Sequence, residues 1–276
     1  MAVLPAEFVR LERRYLVRRA LSIARGAIPG WRDTPFTCAY LALLGIGAFT
    51  LSVIDGHTRL LVLHGSSTDV QHLSTRPFYV LLTSALWVDS IREYIAVAVV
   101  LGLAAAALER RIGTRWVLAI FASGHVGATL LTEGAVAIGV HSGALPSSAL
   151  SRIDVGVSYG LAATIGALIG FLPTKARAVA LVGAWIYLGL PLLLDRDMTS
   201  WGHVVAAVIG VAWWPMLARL ELTQARRTLA RGALAENLRL GMMGSWRWAS
   251  RWVEPRLPAS SWLPHRRSMT RTSRAA

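Results

Sequence analysis

The chain reads as an all-α polytopic membrane protein, a bundle of six transmembrane helices with both termini in the cytoplasm. Three observations predict this. Of its 276 residues 54% are hydrophobic and 16% charged, and mean hydropathy is +0.49, too apolar for a water-soluble domain. Six apolar runs are long enough, or nearly long enough, to cross a bilayer. Finally, 24 of the 29 Lys and Arg residues fall in one alternating set of connecting segments and only five in the other, the asymmetry that marks cytoplasmic loops.

Crossing about 30 Å of hydrocarbon takes about 20 helical residues, because only a helix satisfies every backbone group without outside partners. Residues 1–35 form a basic, helix-prone cytoplasmic segment with seven arginines. No small-residue cleavage site follows the first span, so the segment reads as an uncleaved signal anchor. The expected spans are residues 36–54, 94–108, 116–138, 155–172, 178–194 and 201–218. The second is short at 15 residues. It follows an apolar interfacial stretch, 78–88, and a polar patch of Asp89, Ser90, Arg92 and Glu93. Residues 36–218 thus form the membrane domain and 219–276 a basic cytoplasmic tail. Within that tail Leu222, Ala225, Leu229 and Leu238 recur at helical spacing among arginines. Either an amphipathic helix on an anionic inner leaflet or a solvated tail that enforces topology fits this pattern. Residues after Pro255 read as disordered.

The formal charge of +14 would suggest nucleic acid only if the basic residues shared one exposed face. Sorted by loop they report orientation instead, so no nucleic-acid partner is expected and the bilayer is. Cys38 is the only cysteine, which excludes a disulfide framework and any multi-cysteine metal site. No metal or organic cofactor is signalled. The lack of an internal repeat argues against an inverted-repeat transporter.

Polar groups at membrane depth are costly and invite a functional hypothesis. Ser158 lies just inside the fourth span and His203 just inside the sixth, and both spans are entered from the outer side. Equal depth on one side is a precondition for a Ser–His hydrogen bond, in which nucleophile and base must approach within about 3 Å. Taken alone, a membrane serine more often bonds its own backbone or glues two helices, and a single interfacial histidine more often packs than reacts. The flanking residues make the pair more informative. Gly156, Gly160, Gly166 and Gly170 in the fourth span, and Gly202, Ala206 and Gly210 in the sixth, recur as small-xxx-small patterns that let two helices approach closely.

On these residues the chain resembles the rhomboid family of intramembrane serine proteases, over about residues 77–215. Gly156-Val157-Ser158-Tyr159 is similar to the family's G-x-S-x motif, and His203 with Ala206 and Gly210 to its sixth-helix histidine. Leu82-Thr83-Ser84-Ala85-Leu86 resembles the start of its second helix, and Leu108-Glu109-Arg110-Arg111-Ile112-Gly113 the glutamate-containing turn after it. The resemblance implies a six-helix core, Ser158 as nucleophile and His203 as general base. Gly156, Val157 and Tyr159 would form the active-site loop beside the oxyanion. It also implies substrates that are membrane-anchored helices cut near the outer face, at the plasma membrane. His203 would take the proton of Ser158 during attack on a peptide carbonyl and return it to the leaving amine.

Several positions depart from the family pattern. A second-helix histidine and asparagine that support the oxyanion are replaced by Glu93 and Val97, a serine-following small residue by Tyr159, and the aromatic that packs on the histidine by Ala162. A carboxylate repels an oxyanion, and losing one donor costs about 3 to 4 kcal/mol. These departures favour the alternative of a catalytically weak or inactive rhomboid-like pseudoprotease that binds client transmembrane helices. Glu109 reads as structural. His125 and Glu133, eight residues apart, share a face where they could meet across a helix or water, in a metal or proton role. Asp154, Asp195 and Asp197 read as solvated loop charges. His57, His64, His72 and His141 fall in outer loops without metal-ligand spacing.

Overall fold

The computed structural model describes residues 28–194 and 197–223, and these are mostly helical, with no strand among them. The elements are α1 (Pro35–Val53), α2 (Gly56–Gly65), α3 (Val70–Thr75), α4 (Pro77–Thr83), α5 (Ile91–Ile112), α6 (Thr114–His141), α7 (Ser158–Ile169), α8 (Thr174–Leu194) and α9 (Met198–Ala212). Short 3₁₀ turns occupy Ser84–Leu86 and Ser147–Ser151. Most of the expected basic N-terminal segment, Asp195, and almost all of the proposed amphipathic tail lie outside the described residues.

Helices α1, α5, α6, α7, α8 and α9 fall on the six expected runs. Among the described residues five helices are long and apolar enough to cross a membrane, the last of them extended past Trp213 to Thr223. The fourth, α7, is not. It has 12 residues where 18 were expected, because Gly156 takes φ +140° and holds 155–157 out of the helix, while Gly170 and Pro173 end it. The second span errs the other way. Its helix is 22 residues long and takes in the polar patch, because Ser90 caps it through the Glu93 N–H. The apolar stretch before it forms α4 and a 3₁₀ turn, with Phe78 and Leu82 exposed.

Side-chain caps set three further helix starts. Asp55 accepts from the His57 and Thr58 N–H groups, Asp69 from His72 and Asp197 from Ser200. Helix α1 is capped from a distance. Its Phe36 and Thr37 N–H groups donate to the Glu109 carboxylate at 2.9 and 3.0 Å, joined by the Thr37 and Thr114 hydroxyls at 2.7 Å each. Glu109 is 2% exposed. It ties α1, α5 and α6 together at the arginine-rich end of the bundle and is structural, as the sequence implies.

The centre of the bundle is α7, packed against α5, α6 and α9. Small residues make this possible. A Cβ at Gly124 would run into Ala163, one at Gly166 into the Ala207 carbonyl, and one at Gly210 into the Ala163 carbonyl. The glycine spacing on the fourth and sixth spans therefore does what it predicts, bringing the two backbones together. By contrast α8 lies at the edge. Only Gly189 is buried on it, and Val179, Val182, Trp185, Ile186 and Leu193 are exposed, a surface suited to lipid.

Candidate active site

Ser158 is the first residue of α7 and is half-buried. The segment before it is held on both sides. The Gly156 N–H donates to the Ser84 carbonyl at 2.9 Å, and Val157 is buried in the main core cluster. Upstream, the Thr68 N–H and hydroxyl both donate to the Asp154 carbonyl, at 2.9 and 3.0 Å, and the Asp154 N–H donates to the Ser67 hydroxyl at 2.9 Å. Asp154 is thus no solvated loop charge. Burial pushes its carboxyl up, against the opposing pull of Arg152 and the Thr68 hydroxyl.

Arg152 closes this loop onto the helices. Its guanidinium donates to the Thr199 hydroxyl at the start of α9 and to Glu133 on α6, at 3.4 and 3.5 Å. Glu133, 3% exposed, pairs with this arginine and not with His125. Eight helical residues separate the two side chains by about 12 Å along the axis, and His125 has its own partners. Its Nε2 lies 3.0 Å from the Leu81 carbonyl and 3.2 Å from the Ser84 hydroxyl. Because the carbonyl only accepts, Nε2 carries the proton. The shared metal or proton role expected for these two residues is not formed, and no group of His, Cys, Asp and Glu among the described residues has metal-holding geometry.

His203 sits on the second turn of α9, half-buried. Its ring meets the Tyr159 ring edge-to-face, with centroids 5.3 Å apart. Tyr159 is buried in a slot whose floor is Gly202, where a Cβ would enter the phenol ring. The aromatic against the histidine is therefore supplied by the neighbour of Ser158 and not by position 162, where Ala162 packs in the same small cluster. No hydrogen bond joins Ser158 to His203 in this structure. Glu93 is exposed and caps α5, its carboxylate accepting the Asp89 N–H at 2.9 Å, while Val97 packs on the core. Asp197 is exposed, as expected of a loop charge, and also caps α9.

The arrangement offers chemistry at the start of α7. Helices α3, α5 and α9 carry side-chain caps, whereas α7 follows Val157 with none. The first-turn N–H groups of α7 thus have no side-chain acceptor and favour negative charge. A family model described as rhomboid-like protein matches residues 30–223. The chain belongs to this rhomboid-like family. No curated protein and no solved structure matches it. Within a rhomboid-like bundle, the Ser84–Gly156 and Ser67–Thr68–Asp154 ties are what sequence reading missed. The signal available for them was a run of small polar residues, Ser66 to Asp69, in an otherwise apolar chain.

Proposed function

We propose that this rhomboid-like membrane protein is an intramembrane serine protease, with Ser158 as nucleophile and His203 as general base, cutting membrane-anchored helices near the outer face. The observation that carries this reading is the contact of His203 with Tyr159, the residue bonded to Ser158, at the uncapped start of α7. Catalytic hydrogen bonds often form or tighten only when substrate binds, and this reading requires Ser158 and His203 to close on each other at that step. His203 takes the Ser158 proton as the hydroxyl oxygen attacks the peptide carbonyl. The tetrahedral oxyanion then faces the first-turn N–H groups of α7, which supply donors without the absent histidine and asparagine. His203 returns the proton to the leaving amine, and water hydrolyses the acyl-enzyme by the same route. Both termini face the cytoplasm in this reading, and the plasma membrane is the site of action.

The test is labelling of detergent-purified protein with a fluorophosphonate probe, with an isocoumarin probe in parallel. Wild type labels, and Ser158→Ala and His203→Ala, shown to be folded by thermal melt, do not. A second reading is favoured by the unbonded Ser158 and His203, namely a pseudoprotease that holds client helices. Folded wild type that labels with neither probe decides for it.

A further inference from the structure

At the opposite, arginine-rich end of the bundle, a cavity of about 530 Å³ opens where α7 ends and α9 runs on past Trp213. Val211, Pro215, Leu217 and Ala218 give it apolar walls, and Arg177 and Glu221 bring charge into it. Arg177 is fixed in place. One guanidinium nitrogen donates to the Gly170 and Leu172 carbonyls at 2.6 and 3.1 Å, and the group lies over the Trp214 ring at 5.1 Å. Trp214 is anchored in turn, its indole N–H donating to the Gly166 carbonyl at 2.9 Å. The Arg177 Nε is buried and has no hydrogen-bond partner. Beside the cavity Arg111 lies over Phe171 at 5.1 Å and pairs with Glu221 at 3.7 Å.

We infer that this cavity binds the phosphodiester headgroup of a phospholipid. A guanidinium held at an apolar-walled cavity favours an anion there, and a phosphate oxygen matches the planar guanidinium fork. In the lining Arg177 and Glu221 balance, and Arg111 beside the cavity, paired with Glu221, brings the local sum to one net positive charge. That suits the single negative charge of a phosphodiester better than the double charge of free phosphate. The apolar wall gives the first acyl carbons a surface, and Glu221 stands where it would accept from a headgroup ammonium or hydroxyl. The cavity also lies at the span ends, on the side where arginine sorting puts the cytoplasmic leaflet. Neither Ser158 nor His203 takes part, so the inference stands apart from the protease reading.

The experiment is native mass spectrometry of the full chain in detergent, titrated with dioleoylphosphatidylglycerol, with inorganic phosphate as the second arm. Wild type retains one lipid, and phosphate at equal concentration neither binds nor displaces it. Arg177→Gln weakens retention at least about tenfold. That substitution also removes the bonds to the end of α7, so Ala218→Trp, at an exposed wall position, serves as a second variant that fills the cavity and leaves Arg177 intact. It weakens retention to a similar degree. Unchanged lipid retention in folded Ala218→Trp, or displacement of the lipid by inorganic phosphate, overturns the assignment.

Discussion

Replacing Gly210 by alanine tests the close approach of α7 and α9 directly. A Cβ there would stand 2.8 Å from the carbonyl carbon of Ala163, with the carbonyl oxygen nearer still. Ordinary contact begins at 3.4 Å, so with the carbonyl oxygen nearest the two helices must part by roughly an ångström or more, and what blocks the way is backbone, not a side chain that can swing aside. Overpacking of this kind costs about 1–3 kcal/mol. The same substitution at Gly183 on α8 meets open space and gains about 1 kcal/mol of helix propensity. Because both variants share that gain, the difference between their melting temperatures reads the overpacking alone. About 1–3 kcal/mol at about 2–4 °C per kcal/mol for a domain of this size gives a gap of roughly 2–12 °C. Intrinsic tryptophan fluorescence on heating in detergent measures it. If the protease reading holds, parting α7 from α9 also moves His203 away from Ser158, and probe labelling falls about tenfold or more, since misplacements near 1 Å cost about a hundredfold. Gly210→Ala and Gly183→Ala melting together would refute the packing argument.

Glu109→Ala leaves the Phe36 and Thr37 N–H groups buried without acceptors, costing about 4 kcal/mol. The loss should be strongly non-additive with Thr37→Val, and additive losses in a double-mutant cycle would show the shared carboxylate to be unimportant. Tyr159→Ala empties the slot beside His203 and should cost about 3–5 kcal/mol, whereas Tyr159→Phe keeps the ring and the contact; equal melting of the two would remove the ring from the argument. For Asp154 the folded-state carboxyl is raised by burial, so the native state holds its proton more tightly than the unfolded chain. Its penalty is absent below the ordinary aspartate range and grows as pH rises through that range to the raised folded value. Asp154→Asn should therefore gain on wild type from acid toward neutral pH, and a gap that widens on acidification would reverse the sign. Reporters inserted at Gly143 and in the turn at Thr174 should label from opposite sides of the membrane.

Much of the fold could be read from hydropathy, because lipid leaves a chain few choices beyond apolar helices. The errors have physical causes. Averaging over apolar residues cannot see that Gly156 adopts a conformation closed to other residues, so the fourth helix was drawn too long. Nor can it see that Ser90 and Glu93 cap a helix, so the second was drawn too short. Asp154 reads as solvated in the sequence because its partner Thr68 lies 86 positions away and becomes visible only once the chain folds. At the candidate site the glycine spacing correctly announced a tight α7–α9 contact. That Tyr159, and not position 162, lies on His203 depends on the slot above Gly202, which is a matter of helix rotation.

The clasp at Glu109 also sets an order of events during synthesis. Phe36 and Thr37 wait for an acceptor that lies 73 and 72 positions further along the chain. At roughly 5–20 residues per second, the first helix spends about 4–15 s with its leading donors unanswered. Only when the hairpin between the second and third spans arrives does that helix acquire its proper start. The earliest part of the bundle to be made is therefore completed late, and the interval is a window in which the nascent chain depends on water, lipid headgroups or a helper to cover two open amides.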